Sequence, residues 1–168
     1  MTPLKARFWR MLTVRWQAEP LSGAGAANMG GRWNRPGLPA LYLSFDHGTA
    51  IAEFHQSLVR PGTLTAYDVK AKAIADLTAP DAPEQFGFER GTPWCEWRHL
   101  WSIKRQEPPT WALADRLKAQ GAVGAIVPSV QIKGGKNLIL WRWSTQEGDG
   151  AQIRVIDPLA ELSSFLLH

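Results

Sequence analysis

Apolar and polar positions alternate over residues 7–16, "RFWRMLTVRW", and put Phe8, Leu12, Val14 and Trp16 on one face, the pattern of a half-buried strand. Arg10 falls on that same face, so it is either paired with a carboxylate or set in a cleft wall as an anion-binding group. Residues 21–37 are rich in glycine, carry no period and predict a mobile loop. "LPALYLS" then predicts a short strand, with Leu41 and Leu43 toward a core and Ala40, Tyr42 and Ser44 on the other face. "DHGTAIAEFHQSL" predicts a helix that begins at Asp46 or His47 and ends before "RPG".

Further along, "TLTAYDVKAKAIADL" predicts one or two strands. In "TPWCEWRHLW", Trp94, Trp97 and Trp101 stand at i, i+3 and i+7, a helical stripe expected in the core. "PTWALADRLKAQG" predicts a helix with Thr110 as cap and Gly121 as stop. "GAVGAIVPS", "NLILWRW" and "QIRVID" predict strands. Helices and strands mix without regular alternation, and no strand–GxGxxG–helix unit occurs. The expectation is therefore an α+β fold rather than a doubly wound sheet.

Composition narrows this picture. A chain of 168 residues, 45% hydrophobic and 20% charged, suits one globular domain over 1–168 with a core of its own. The lone Cys95 excludes a disulfide framework or a cysteine-rich metal site and fits a reducing cytoplasm. "MTPLKARFWRML" lacks the apolar run of a signal peptide, and no stretch reaches membrane-helix length, so a cytoplasmic, membrane-free location is expected. A net charge of +4 permits phosphate-bearing ligands, RNA or an acidic partner without choosing among them. Nine tryptophans point to both core filling and an interface or pocket.

Several chemistries are absent: there is no HExxH, CxxC, GxSxG or EF-hand loop, and "KGGKN" at 133–137 fails the Walker spacing. What remains is a kit of three groups. Tyr42 has small neighbours on its face, which leaves its ring open to a planar ligand. On the following helix, Ile51, Phe54 and Leu58 fall within about 60° of one another and predict the core stripe. Glu53 points to the opposite side with Asp46, Thr49 and Gln56, while His55 lies beside the stripe. The glycine-rich loop that carries Arg32 is the candidate cover for Glu53. An arginine can grip a diphosphate, an aromatic ring can stack on a pyridinium, and a carboxylate can steady an oxocarbenium-like ribose. Together they suit NAD+ as substrate. A non-catalytic nucleic-acid-binding module and an inert interaction protein remain open as rival readings.

The order "LSGAGA…GGRWNRPG…PALYLS…TAIAEFH…VPS…NLIL" resembles RES-domain proteins, the toxins of RES–Xre toxin–antitoxin systems, over about residues 8–157. The arginine, glutamate and serine that name the family correspond by motif to Arg32, Glu53 and Ser129, with Tyr42 as the accompanying aromatic. The resemblance implies a fold similar to diphtheria-type ADP-ribosyltransferases, with mixed central β-sheets and flanking helices. It also implies NAD+ as substrate, no metal, and cleavage of the nicotinamide–ribose bond. Arg32 would hold phosphate, Tyr42 the nicotinamide, Glu53 the ribose, and Ser129 the ribose or the ligand's position. The acceptor of ADP-ribose would be water, inorganic phosphate or a protein side chain. The implied partner is an Xre-type helix-turn-helix antitoxin covering the NAD+ site; a protein target is compatible, and direct nucleic-acid binding is not expected. One departure stands out: Trp141-Arg142 replaces the Asn-Pro that usually follows the family's Asn-aliphatic strand.

Overall fold

The N-terminal alternation belongs to a strand that starts earlier and stops sooner than its pattern suggested: β1 spans Thr2–Leu12. Phe8 and Leu12 are buried on its inner face as expected, but Val14–Trp16 is a turn of 3-10 helix with Val14 exposed. A computed structural model describes residues 1–56 and 58–164 of the chain. Ser57, within the span predicted as helix, and residues 165–168, within the single-domain span, lie outside the described residues.

The glycine-rich segment is not a featureless loop. It forms helix α1 (Ala24–Met29) and a tight turn in which Trp33 and Asn34 are 1% and 2% exposed. The Asn34 Nδ2 group donates to the carbonyls of Ala26, Arg35 and Leu38 at 2.9–3.2 Å, so one buried amide satisfies three backbone acceptors that glycine periodicity could not reveal.

Strand β2 (Leu41–Ser44) and helix α2 (His47–His55) follow where predicted, and then β3 (Thr63–Asp76) runs as one long strand. Short helices α3 (Ala82–Phe86) and α4 (Trp97–Ser102) precede α5 (Pro109–Ala119). Pro108, not Thr110, is the cap of α5. Thr110 is fully buried one position inside the helix, while Gly121, at φ 92°, does end it. Strands β4 (Gly124–Pro128), β5 (Lys136–Leu140), β6 (Trp143–Ser144) and β7 (Ala151–Ile156) and helix α6 (Glu161–Ser164) complete the order.

The described strands make one mixed sheet in the order β1-β2-β5-β4-β3-β7-β6, and β1 also pairs with β3 along almost its whole length. That extra pairing closes β1, β2, β5, β4 and β3 into a ring. The interior holds Phe8, Leu41, Leu43, Tyr67, Val69, Ile74, Leu138 and Leu140. Outside the ring, Trp33, Ile139, Val127 and Trp141 pack beneath the α5 residues Leu113 and Leu117. Strands β4 and β5 are therefore buried on both faces, which explains their nearly unbroken apolar runs.

Two predicted stripes fail. In α2 the buried residues are Thr49, Ala50 and Phe54, whereas Ile51 is 39% exposed and Leu58, beyond the helix end, is 70% exposed. In the tryptophan segment, Trp94 sits in a separate 3-10 turn at 54% exposure and Trp101 in α4 at 40%. Trp97 and Trp101 instead pack at the edge of buried Trp111, with ring centroids 6.5 and 4.9 Å away. Both failures have one cause: these helices are too short to present a continuous stripe, so a residue's neighbours in the tertiary fold decide its burial.

Candidate functional site

Helix α2 presents Glu53, and its register is set at its start. Asp46 accepts from Thr49 N at 2.8 Å and from Thr49 Oγ1 at 2.7 Å, an N-cap that holds the Asp46 carboxyl below its ordinary pKa. With Thr49 and Ala50 buried, the helix is rotated so that Glu53 faces the sheet.

Two buried side chains receive it, and a third holds one of them. Ser129, just after β4, donates its hydroxyl hydrogen to Glu53 Oε1 at 2.7 Å and accepts from Gln131 N and Ile132 N at 3.1 Å each. Asn137 in β5 donates from Nδ2 to the same Oε1 at 2.7 Å. Ser44, the register partner of Asn137 on β2, donates to Asn137 Oδ1 at 2.7 Å, which fixes which end of the amide faces Glu53. Glu53 thus receives two hydrogen bonds on one oxygen, from groups that are themselves held. The cover predicted for Glu53 was the arginine loop; the contacts that orient it come from the Ser129 turn and β5.

Arg32 stands across the cleft on a backbone clamped from three sides. Trp111 Nε1 donates to Gly31 O at 2.8 Å, Trp141 Nε1 donates to Trp33 O at 2.9 Å, and Trp33 N donates to the Tyr42 hydroxyl at 3.0 Å. The Tyr42 hydroxyl in turn donates to Asn34 Oδ1 at 2.7 Å. A side chain on Gly31 would collide with the Tyr42 hydroxyl and Asn34, so the glycine permits close approach rather than mobility. The Arg32 guanidinium donates through Nη1 to the carbonyls of Pro93 and Cys95. Burial lowers its pKa, with Cys95, Glu53 and Tyr42 opposing that shift.

Tyr42 is half-buried rather than open. Burial pushes its hydroxyl well above the usual phenol value, so it stays protonated, and its bonds are committed to the Arg32 loop. Its ring nonetheless lines the cleft. Ser129 is 2% exposed and touches Glu53 from behind. Trp141 serves as one of the two indole clamps on the Arg32 loop, and Arg142 reaches Gly121 O at 3.4 Å. Of the two histidines near the site, His47 packs edge-on against Trp9 and His55 against Phe54.

The cleft has a wider part of about 380 Å³, lined by Arg10, Arg32, Tyr42, Glu53, Arg60 and Arg98 among others. An adjoining chamber of about 210 Å³ shares Arg10, Tyr42, Glu53, Arg60 and Asn137 with it. Among the described residues, Glu53 is the one carboxylate lining either part, against four arginines. Arg10 has no carboxylate partner among the described residues. It donates to Pro20 O and Ser22 O at 3.3 and 3.4 Å, and it lines the cleft. Pattern reading passed over Asn137, Arg60 and Arg98 as site residues. Asn137 opens the quoted "NLIL" stretch, Arg60 lay in the "RPG" stop signal, and Arg98 was hidden in the tryptophan stripe.

A larger concavity, about 1010 Å³, lies elsewhere, over β1, β3 and β7. Arg7 and Arg154 share the Asp68 carboxylate there, and Lys70 lies 3.5 Å from Glu147. The smaller cleft, where a carboxylate held by Ser129 and Asn137 stands among arginines with no ion pair among the described residues, is the candidate site.

An α+β chain with a held carboxylate facing an arginine-lined cleft is the class that fold and site define. The model of the RES domain matches residues 7–162, and the chain belongs to that family. It is 36% identical over 83 residues to the NAD(+) phosphorylase MbcT of Mycobacterium tuberculosis (strain ATCC 25618 / H37Rv), a match spanning 42% of this chain and 45% of MbcT, so the chain covers less than half the length of that relative. It is 25% identical over 133 residues to Toxin Res of Yersinia enterocolitica, covering 79% of this chain and 81% of that protein. Among solved structures, the M. tuberculosis MbcT-MbcA toxin-antitoxin complex contains a chain of the same fold, with a TM-score of 0.67 and 22% identity over 93% of this chain and 84% of that one. No helix among the described residues is long and apolar enough to cross a membrane.

Proposed function

We propose that this chain is the toxin of a toxin–antitoxin pair and that it cleaves the nicotinamide–ribose bond of NAD+, passing ADP-ribose to inorganic phosphate. The observation that carries this reading is Glu53: a carboxylate, oriented by Ser129 and Asn137, in a cleft whose other charged lining residues are arginines. A carboxylate so placed stabilises the positive charge that develops on the ribose as nicotinamide leaves. Arg32 and Arg98 suit the diphosphate, and the Tyr42 ring suits the pyridinium. Ser129, buried behind Glu53, acts by positioning it rather than by touching the ribose. The kinship with MbcT supports phosphate over water or a protein side chain as acceptor.

The rest of the proposal follows the family: a cytoplasmic setting, an Xre-type antitoxin over the cleft, and a fold akin to diphtheria-type ADP-ribosyltransferases. Exposed Met29, Trp101, Val130 and Ile132 provide apolar surface suited to such a partner. A nucleic-acid-binding module finds less support, because Arg7, Arg154 and Lys70, in the concavity over β1, β3 and β7, each lie within ion-pair distance of an acid.

The decisive experiment incubates the protein with NAD+ in buffer, with added phosphate, and with cell lysate. Nicotinamide release that depends on phosphate is the expected result. Release in buffer alone would make it a glycohydrolase, label on a protein band a transferase, and no release in any arm would end the NAD+ reading.

A further inference from the structure

We infer that Arg10 and Arg60 form a separate oxyanion subsite within the cleft, the place where the acceptor phosphate binds. The inference rests on the NAD+ reading of the cleft and adds to it the residues that hold the second substrate.

The two parts of the cleft differ in their cations. Arg32 and Arg98 line only the wider part, together with Gln56, Gln131 and Trp97. Arg10 and Arg60 line both parts and are the arginines of the inner chamber, which also contains Glu53, Ser44 and Asn137. None of the four has a carboxylate within 4.0 Å among the described residues, whereas Arg7, Arg35, Arg90 and Arg154 each do. NAD+ carries two negative charges on its diphosphate and one positive charge on its pyridinium. Arg32 and Arg98 match the diphosphate by themselves. Arg10 and Arg60 are then surplus cations beside the reacting carboxylate, and a phosphate dianion matches them in charge.

Their anchoring fits the role. Arg10 is fastened through Nη1 to the Pro20 and Ser22 carbonyls, and Arg60 through Nη2 to Phe54 O at 3.1 Å. The Arg60 guanidinium also lies over the Phe54 ring, 4.3 Å from its centroid. Arg60 is held at one nitrogen, which leaves its other N–H groups for a tetrahedral oxyanion, while Arg10 also meets the Tyr67 hydroxyl and offers what remains of its fork. These contacts are to neutral partners, so they orient the guanidinium without cancelling its charge.

The reaction balances without a base. The bond between the ribose C1′ and the pyridinium nitrogen breaks, and its electron pair stays on nitrogen, which leaves neutral nicotinamide. An oxygen of hydrogen phosphate forms the new bond to C1′ with its own lone pair, and the phosphate keeps its proton. Glu53 steadies the ribose cation, while Arg10 and Arg60 offset the repulsion between its carboxylate and the incoming dianion.

Arg60 is the residue to change, because Arg10 also holds the chain at Pro20 and Ser22. Steady-state rates of Arg60→Gln and Arg60→Lys are measured while phosphate and NAD+ are varied separately. Melting temperatures with inorganic phosphate alone provide an equilibrium readout. Arg60→Gln should raise the KM for phosphate on the order of 10-fold and leave that for NAD+ within about 2-fold, with Arg60→Lys in between. Phosphate should raise the melting temperature of the unaltered protein and do so far less in Arg60→Gln. A rise in the NAD+ KM with the phosphate KM unchanged would assign Arg60 to the diphosphate and overturn the inference, as would equal phosphate-induced shifts in both proteins. If no NAD+ is consumed yet phosphate still protects the protein through Arg60, the subsite stands and the NAD+ reading falls.

Discussion

Ser129 and Glu53 lie 76 residues apart in the chain, yet the Ser129 hydroxyl is 2.7 Å from Glu53 Oε1 and also caps the backbone of the turn that follows it. One oxygen therefore ties the end of β4, the turn after it and the helix bearing Glu53. The same Glu53 oxygen accepts from Asn137, whose amide is oriented by Ser44. Placement of the carboxylate thus depends on three strands and a turn rather than on α2 alone.

Ser129→Ala removes a donor to Glu53 and an acceptor for two backbone N–H groups. It should lower kcat for NAD+ cleavage more than it raises the NAD+ KM, and destabilise the fold by about 1–3 kcal/mol. Kinetics and denaturant unfolding measure the two effects separately. A variant with unchanged kcat would remove Ser129 from the positioning of Glu53.

Glu53→Gln keeps size and can still accept from Ser129, but it removes the negative charge. Nicotinamide release should fall on the order of 10²–10⁴-fold, and NAD+ binding, followed by calorimetry, should survive. Full activity in this variant would refute the proposed role of the carboxylate.

Tyr42→Phe separates two roles of one residue. A purely stacking ring would tolerate the loss of its hydroxyl. Because that hydroxyl accepts from Trp33 N and donates to Asn34, the variant should lose about 1–3 kcal/mol of stability and bind NAD+ more weakly through a loosened Arg32. Wild-type stability and affinity would leave the hydroxyl without that function.

Asp46→Ala tests the helix start. Loss of the N-cap should cost about 0.5–2 kcal/mol. The Asp46 carboxyl is held below its ordinary value in the folded chain, so its contribution is present above the unfolded carboxylate range, near pH 4, and disappears as pH falls through the lower folded value. The stability gap between the two proteins, measured by unfolding against pH, should therefore close in acid. A constant gap would mean that the ionised carboxylate is not what caps α2.

The α+β class, β2, α2 with its Asp46 cap, α5 and the late strands were legible in the sequence, because they rest on local patterns: period, caps and stop signals. Arg32, Tyr42, Glu53 and Ser129 were legible as candidates through motif order; Arg32, Tyr42 and Glu53 line one cleft, and Ser129 lies behind Glu53. Tertiary structure alone decided their placement. The direction of Glu53 follows from the burial of Thr49 and Ala50, and the half-burial of Tyr42 from the turn that folds over it. The closure of the sheet depends on β1 meeting β3, and the gathering of Arg10, Arg60 and Arg98 on segments far apart in the chain. A short helix with apolar residues on more than one side has no preferred face until a sheet is offered to it. A side chain's charge is likewise visible in one dimension, but whether a counter-charge lies beside it is not.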